Sequence, residues 1–265
     1  MLLVHEGRRL HADLLGERDR PVVCLVHALA ADSGLWAEQV PVLLAAGCAV
    51  LRVDLRGHGG SAATPGPYRM AELAADVAAV LRALSLPPVH YVGLSLGGMV
   101  GQALALDHPE LLRSVVICDA LPESLPNAEE VWGPRIRAAR AAGSVAPLAE
   151  GTMERWLTPA FRAARPARWE EIRATVAATD AEGYAACAEA ISAFSHVARL
   201  PGLAVPALVL CGEEDHAVPP AEAERIARLV PDGRFHVIPG ARHLPNVERP
   251  ELFNPLLLEW LARFR

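Results

Sequence analysis

The chain has no apolar run approaching the ~18 residues that cross a bilayer. Its N-terminus, Met1-Leu2-Leu3-Val4-His5-Glu6-Gly7, has no basic segment ahead of a hydrophobic one. Neither a membrane span nor a secretory signal peptide is expected. Cysteine is sparse, five residues in 265, and no C-x-x-C spacing occurs. Cys24, Cys118 and Cys211 fall in apolar, strand-like runs, which reads as buried thiols in a reducing compartment, and a cytoplasmic location is expected. An excess of positive charge is also missing. Lys and Arg total 25 against 31 Asp and Glu, for a net charge of −6, which argues against nucleic acid as a partner. An acidic small-molecule substrate would then need a local cation. Repeats and low-complexity tracts are absent. With 52% hydrophobic residues the chain can bury a large core.

What is present is an alternation of short strands and helices. Val22-Val23-Cys24-Leu25-Val26 and Ala49-Val50-Leu51-Arg52-Val53 are β-branched runs, with a helix expected over residues 35–45. Leu73, Val77, Val80, Leu81 and Leu84 recur at helical spacing within residues 70–84, while Glu72, Asp76 and Arg82 lie off that face. Strands are expected at residues 89–92 and 114–118, with a helix after the first. This pattern predicts an α/β fold, a mostly parallel sheet with helices on both faces. The alternation breaks after Asp119. Residues 121–197 show only Ala-, Arg- and Glu-rich helical stretches, punctuated by Pro126, Pro134, Pro147, Pro159 and Pro166. It resumes with strands at 207–211 and 234–238 and helices at 221–229 and 252–264. The expected organisation is a core of residues 1–120 and 198–265, with residues 121–197 as a helical cap over a cleft.

The most informative stretch is Val92-Gly93-Leu94-Ser95-Leu96-Gly97-Gly98, which reads as strand, tight turn, helix with Ser95 at the apex. Such a turn projects a serine hydroxyl away from the sheet. Gly93 and Gly97 flank it where side chains would collide with the turn. The N–H of Leu96 then points to where an oxyanion would develop. A nucleophilic serine needs a base, and the base an orienting carboxylate. His243 stands in Gly240-Ala241-Arg242-His243-Leu244-Pro245, directly after the last expected strand, on the same sheet edge as Ser95. Asp215 follows another strand in Gly212-Glu213-Glu214-Asp215 and is the favoured acid. Asp119, at the end of the preceding strand, is its main rival, with Glu213 and Glu214 close by. The loop His27-Ala28-Leu29-Ala30-Ala31 should supply the second oxyanion donor, the N–H of Leu29, while His27 reads as a structural hydrogen-bonder. The loop Asp54-Leu55-Arg56-Gly57-His58-Gly59-Gly60-Ser61 reads as a polar loop; its glycine pattern is not a P-loop, and no second cluster of metal spacing accompanies it. No metal or cofactor is expected.

Taken together, these residues closely resemble the α/β-hydrolase superfamily over nearly the whole chain. Within it the chain looks most like the 3-oxoadipate enol-lactonases. The resembling stretches are Gly93 to Gly101 continuing through Asp107-His108-Pro109, Arg155-Trp156-Leu157-Thr158-Pro159-Ala160-Phe161, Gly183-Tyr184-Ala185-Ala186-Cys187, and Gly240 to Pro250. His27-Ala28, Asp119-Ala120 and His216-Ala217 depart from that family's pattern. The resemblance implies an α/β-hydrolase fold with a helical cap and hydrolysis of a small carboxylated enol-lactone to 3-oxoadipate. It also implies Ser95, Asp215 and His243 as catalytic triad and Leu29 and Leu96 as oxyanion donors.

The substrate carboxylate needs a cation. Trp132 and Arg135 are three apart and share a face if their segment is helical, although Gly133-Pro134 is expected to kink or restart it. Similar Trp and Arg positions occur in the enol-lactonase cap, so Arg135 is the expected anchor, with Arg137, Arg140 and Arg155 as competitors. A related esterase or carbon–carbon bond hydrolase, or a slow-turnover receptor, are the alternatives. Epoxide hydrolases and dehalogenases usually carry Asp at the position of Ser95. The sequence leaves the oligomeric state open.

Overall fold

The computed structural model of the protein describes residues 1–264. Eight strands form one sheet: β1 (Leu2–His5), β2 (Arg8–Leu15), β3 (Val22–Val26), β4 (Ala49–Val53), β5 (Val89–Leu94), β6 (Leu112–Cys118), β7 (Ala207–Gly212) and β8 (Gly233–Ile238). Their order is β1-β2-β4-β3-β5-β6-β7-β8. The six strands from β4 to β8 are parallel to one another, and the β1–β2 hairpin joins them antiparallel through β2 and β4. Every residue of β3, β5 and β7 is buried. Helices cover both faces of the sheet there, which is why these strands read as unbroken apolar runs.

The helices are α1 (Val40–Ala45), α2 (Met70–Ala83), α3 (Leu96–Asp107), α4 (Ala128–Ala142), α5 (Ala149–Trp156), α6 (Pro159–Ala164), α7 (Pro166–Ala178), α8 (Ala181–Ser192), α9 (Pro220–Leu229), α10 (Pro245–Glu248) and α11 (Pro250–Ala262). Helix α2 buries Leu73, Val77, Val80 and Leu81, the stripe its spacing marks. Five of the helices, α4 to α8, lie between β6 and β7. The ends of this insert are zipped together: Ser124 N–H donates to the Phe194 carbonyl at 2.8 Å, and His196 N–H to the Pro122 carbonyl at 2.9 Å. Among the described residues, no helix is long and apolar enough to cross a membrane.

Two local expectations are corrected, and one element is added. β1 and β2 form an N-terminal hairpin outside the expected strands; in β2, Leu10 and Ala12 are buried while Arg9 is exposed and His11 and Asp13 are half-buried. Residues 35–45 do not form one helix. Asp32 caps a 3-10 turn, Ser33–Trp36, by accepting the Gly34 N–H at 2.8 Å, and α1 starts afresh with Pro41 in its first turn. Helix α4 runs through Gly133-Pro134 without interruption.

Strand order places the site. The chain passes from β3 outward to β4, then returns to β5 on the other side of β3. The loops after β3 and β5 therefore diverge at the carboxyl edge and leave a crevice between them.

Candidate active site

Ser95 is the single residue between β5 and α3, with φ 55° and ψ −114°. Such a backbone costs a non-glycine residue on the order of 1–3 kcal/mol. Its surroundings hold it there. Ser95 N–H donates to the Cys118 carbonyl at 2.8 Å, and Gly97 N–H to the His27 carbonyl at 3.1 Å. A Cβ on Gly93 would lie 2.2 Å from the Gly97 carbonyl oxygen, and one on Gly97 2.3 Å from that of Val26. Only glycine lets the elbow close onto its strands this tightly.

His243 lies in the loop after β8 and Asp215 in the loop after β7. The Nδ1 of His243 donates to Asp215 Oδ2 at 2.7 Å. Asp215 Oδ1 accepts the N–H groups of Ala217 at 2.8 Å and Val218 at 3.1 Å. Burial pushes the Asp215 carboxyl up, but the neighbouring His243 and these two N–H groups outweigh it and hold it below the usual carboxylate range. With Nδ1 engaged, Nε2 is the nitrogen left to accept a proton. Ser95 and His243 line one cavity of about 270 Å³. Ser95 Oγ and His243 Nε2 make no hydrogen bond to each other; such catalytic bonds are often long until the reacting complex forms. Asp119 does not reach His243 by a hydrogen bond; its Oδ1 accepts Gly212 N–H at 2.8 Å. Of the rival loop acids, Glu213 turns away to the Gly240 N–H at 3.1 Å.

Among the described residues, the N–H groups of Leu29 and Leu96 donate to no other protein group, and Leu29 lines the cavity. The loop carrying Leu29 is braced by two histidines. His27 Nδ1 donates to the Ala28 carbonyl at 2.7 Å, and its Nε2 accepts Leu55 N–H at 2.9 Å. His58 Nε2 accepts the N–H of Ala30 at 3.0 Å, and its Nδ1 donates to the Arg56 carbonyl at 3.1 Å. Ala30 has φ 61°, a left-handed backbone this brace holds in place. Burial, and then the neighbouring His27, push the His58 imidazole down to about 3, so it stays neutral and can accept. This role of His58 has no local signature in the sequence, because the partner of its ring is 28 residues away. Asp54 is structural: its Oδ1 accepts Ser33 N–H at 2.8 Å, and its Oδ2 accepts Gly60 N–H at 2.9 Å and meets His11 Nδ1 at 3.0 Å.

The cap closes over Ser95 with mainly apolar side chains. Trp156 of α5 sits with its ring centroid 6.1 Å from that of His243. The four competing arginines separate cleanly. Arg137 is exposed and faces Glu129 at 3.8 Å, and Arg140 pairs with Glu182 and Glu189 at 3.1 and 2.7 Å. Arg135 and Arg155 both line the cavity, and among the described residues neither pairs with a carboxylate. Arg135 lies 5.1 Å from the Trp132 ring centroid, and Arg155 Nη2 donates to Thr152 Oγ1 at 3.0 Å. Burial, followed by the Arg135 charge, lowers the Arg155 guanidinium from its ordinary value. Two guanidinium groups thus face one mainly apolar pocket. His216, whose ring makes no hydrogen bond among the described residues, also lines the pocket.

The chain belongs to the α/β-hydrolase fold family, whose model matches residues 21–250. A 3-oxoadipate enol-lactonase of Acinetobacter baylyi is 30% identical over 249 residues, 94% of this chain and 91% of that one. A protein of Variovorax paradoxus provisionally named carbamate hydrolase RutD is 33% identical over 258 residues, 96% of each chain. The crystal structure of an enol-lactonase from Burkholderia xenovorans superimposes with a TM-score of 0.94 at 34% identity, covering 99% of this chain and 100% of that one. Hydrolase chemistry on this fold is thereby supported.

Proposed function

We propose that the protein is a serine hydrolase that opens a small carboxylated enol-lactone, 3-oxoadipate enol-lactone, to 3-oxoadipate. One observation carries this reading: Ser95 and His243 open into the same cavity as Arg135 and Arg155, two cap arginines without carboxylate partners among the described residues. The reacting carbonyl would sit over Ser95 while the free carboxylate meets the guanidinium groups. The likeness to enol-lactonases of Acinetobacter baylyi and Burkholderia xenovorans supports the choice of substrate.

The geometry supports an acyl-enzyme route, with direct attack by His243-activated water as its alternative. Ser95 Oγ attacks the ring carbonyl and gives its proton to His243 Nε2. Asp215 stabilises the imidazolium that forms. The oxyanion rests on the N–H groups of Leu29 and Leu96; one such donor is typically worth about 10²–10³ in rate. Cleavage of the ring C–O bond expels an enolate, which takes the proton from His243 and tautomerises to the ketone, driving the step forward. Water, deprotonated by His243, then releases the acyl group from Ser95.

The relative from Variovorax paradoxus favours a second reading, hydrolysis of a small carbamate by the same residues. Steady-state assays of the purified protein against 3-oxoadipate enol-lactone, p-nitrophenyl acetate and a small carbamate separate the readings. The lactone is expected to have the highest kcat/KM. A carbamate preferred over the lactone would replace the first reading with the second.

A further inference from the structure

Asp119, immediately after β6, is wholly buried and has φ 45°. Its Oδ1 is satisfied by Gly212 N–H, while Oδ2 has no hydrogen-bond partner. An ionised oxygen left in that state would be costly. One ligand atom each of Asp119, Asp215 and His243 lies within 4.8 Å of the others. Two carboxyl groups this close in a dry core do not both ionise. Asp215 holds the stronger claim to the charge, with the His243 ring and two backbone N–H groups around it. Asp119 accepts a single N–H. The other titratable groups facing it are Asp215, the His243 ring, whose Nδ1 is engaged by Asp215, and the buried thiols of Cys118 and Cys211. A cation seated among the three side chains would have to displace the 2.7 Å bond between His243 and Asp215.

We infer that Asp119 is a neutral carboxylic acid whose Oδ2–H donates to the Asp215 carboxylate, making it a positioning residue for the acid–base pair of Asp215 and His243. The inference rests on the triad reading of the site. Burial first, and then the Asp215 charge, push the Asp119 carboxyl well above the usual range. A donor at this place fills the orphaned oxygen and fixes the plane of Asp215. By bonding the ionised form, it also moderates the pull of Asp215 on the imidazolium.

The test is the pH profile of kcat/KM for wild type, Asp119→Asn and Asp119→Leu, with infrared difference spectra. Asparagine keeps the acceptor, supplies an N–H donor without charge, and tolerates a left-handed backbone. Asp119→Asn should stay close to wild type, with the acid limb of its profile unmoved. Asp119→Leu should lose about tenfold or more in kcat/KM, the effect of leaving a buried carboxylate short of a partner, and its acid limb should move to higher pH. Wild type should show a carboxylic-acid C=O stretch at neutral pH that Asp119→Asn lacks. An ionised Asp119 would give the reverse: no such stretch, and an acid limb in Asp119→Asn displaced downward by about one unit through loss of a negative charge. That result overturns the inference even if Asp119→Leu fails to fold. Asp215→Asn distinguishes the two levels. If it is crippled while Asp119→Asn shows the downward shift, only the proton assignment fails; if it is mild, the triad reading itself fails.

Discussion

One oxygen of Glu248, Oε1, holds the Thr158 N–H at 2.6 Å and the Thr158 hydroxyl at 2.7 Å, while its other oxygen holds the N–H of Arg242 at 2.6 Å. Thr158 caps α6 in the cap, and Arg242 immediately precedes His243. A single carboxylate thus ties the cap to the loop that carries the proposed base. The Arg242 guanidinium adds a bond from Nη1 to the Glu154 carbonyl at 2.6 Å.

Glu248→Ala should therefore weaken both stability and catalysis. Three buried or half-buried donors lose their acceptor, at about 1 kcal/mol or more each. A lower Tm together with a reduced kcat is expected in thermal melts and steady-state assays. An unchanged kcat at a lowered Tm would confine Glu248 to a structural role.

Arg135 and Arg155 should act on charged substrates alone. A charge-assisted pair in a desolvated pocket contributes about 1.5–3 kcal/mol, roughly ten- to a hundredfold in kcat/KM. Arg135→Leu and Arg155→Leu should each impair a carboxylated lactone by that factor and spare an uncharged ester of similar size. Equal losses on both substrates would mean that these arginines support the cap and read no carboxylate.

Much of this site is legible in the sequence because its determinants are local. The glycine at 93 encodes a steric demand within one turn, that at 97 makes room for the β3 backbone, and Asp215 and His243 follow strands whose apolar runs are easily seen. The legibility stops where long-range pairing decides. Arg135, Arg137, Arg140 and Arg155 look alike along the chain. Only folding brings Glu182 and Glu189, 42 and 49 residues away, onto Arg140 and leaves Arg135 and Arg155 facing the cavity. The braces from His58 and Glu248 are hidden for the same reason. The β1–β2 hairpin escapes notice because it lies at the sheet edge, where one face carries charge.

Acid should destabilise the fold well above the carboxylate range. Burial, aided by Arg113, lowers His90 to about 4, and burial, aided by Arg199, lowers His196 to about 4; His58 lies lower still. Each is neutral when folded but takes a proton in the unfolded chain below about 6.5. Their contribution is whole above that pH and is lost as pH falls toward the folded value. For His90 the full loss is on the order of 3 kcal/mol. Asp119 and Glu248, with raised values, act in the opposite sense, so a variant isolates the effect. His90→Asn should flatten the fall of stability between about pH 6.5 and 4 in denaturant titrations. A slope identical to wild type would remove His90 from the account.

The central claim is that Ser95, strained at the elbow and facing His243 across one cavity, is the nucleophile. Its most direct test is the kcat of Ser95→Ala on 3-oxoadipate enol-lactone, beside a circular dichroism spectrum and melt that show the fold intact. Alanine removes the attacking oxygen and keeps the backbone of the turn. The predicted result is a loss on the order of 10⁴–10⁶ in kcat at unchanged structure. A folded Ser95→Ala protein that turns the lactone over at close to the wild-type rate would contradict the account.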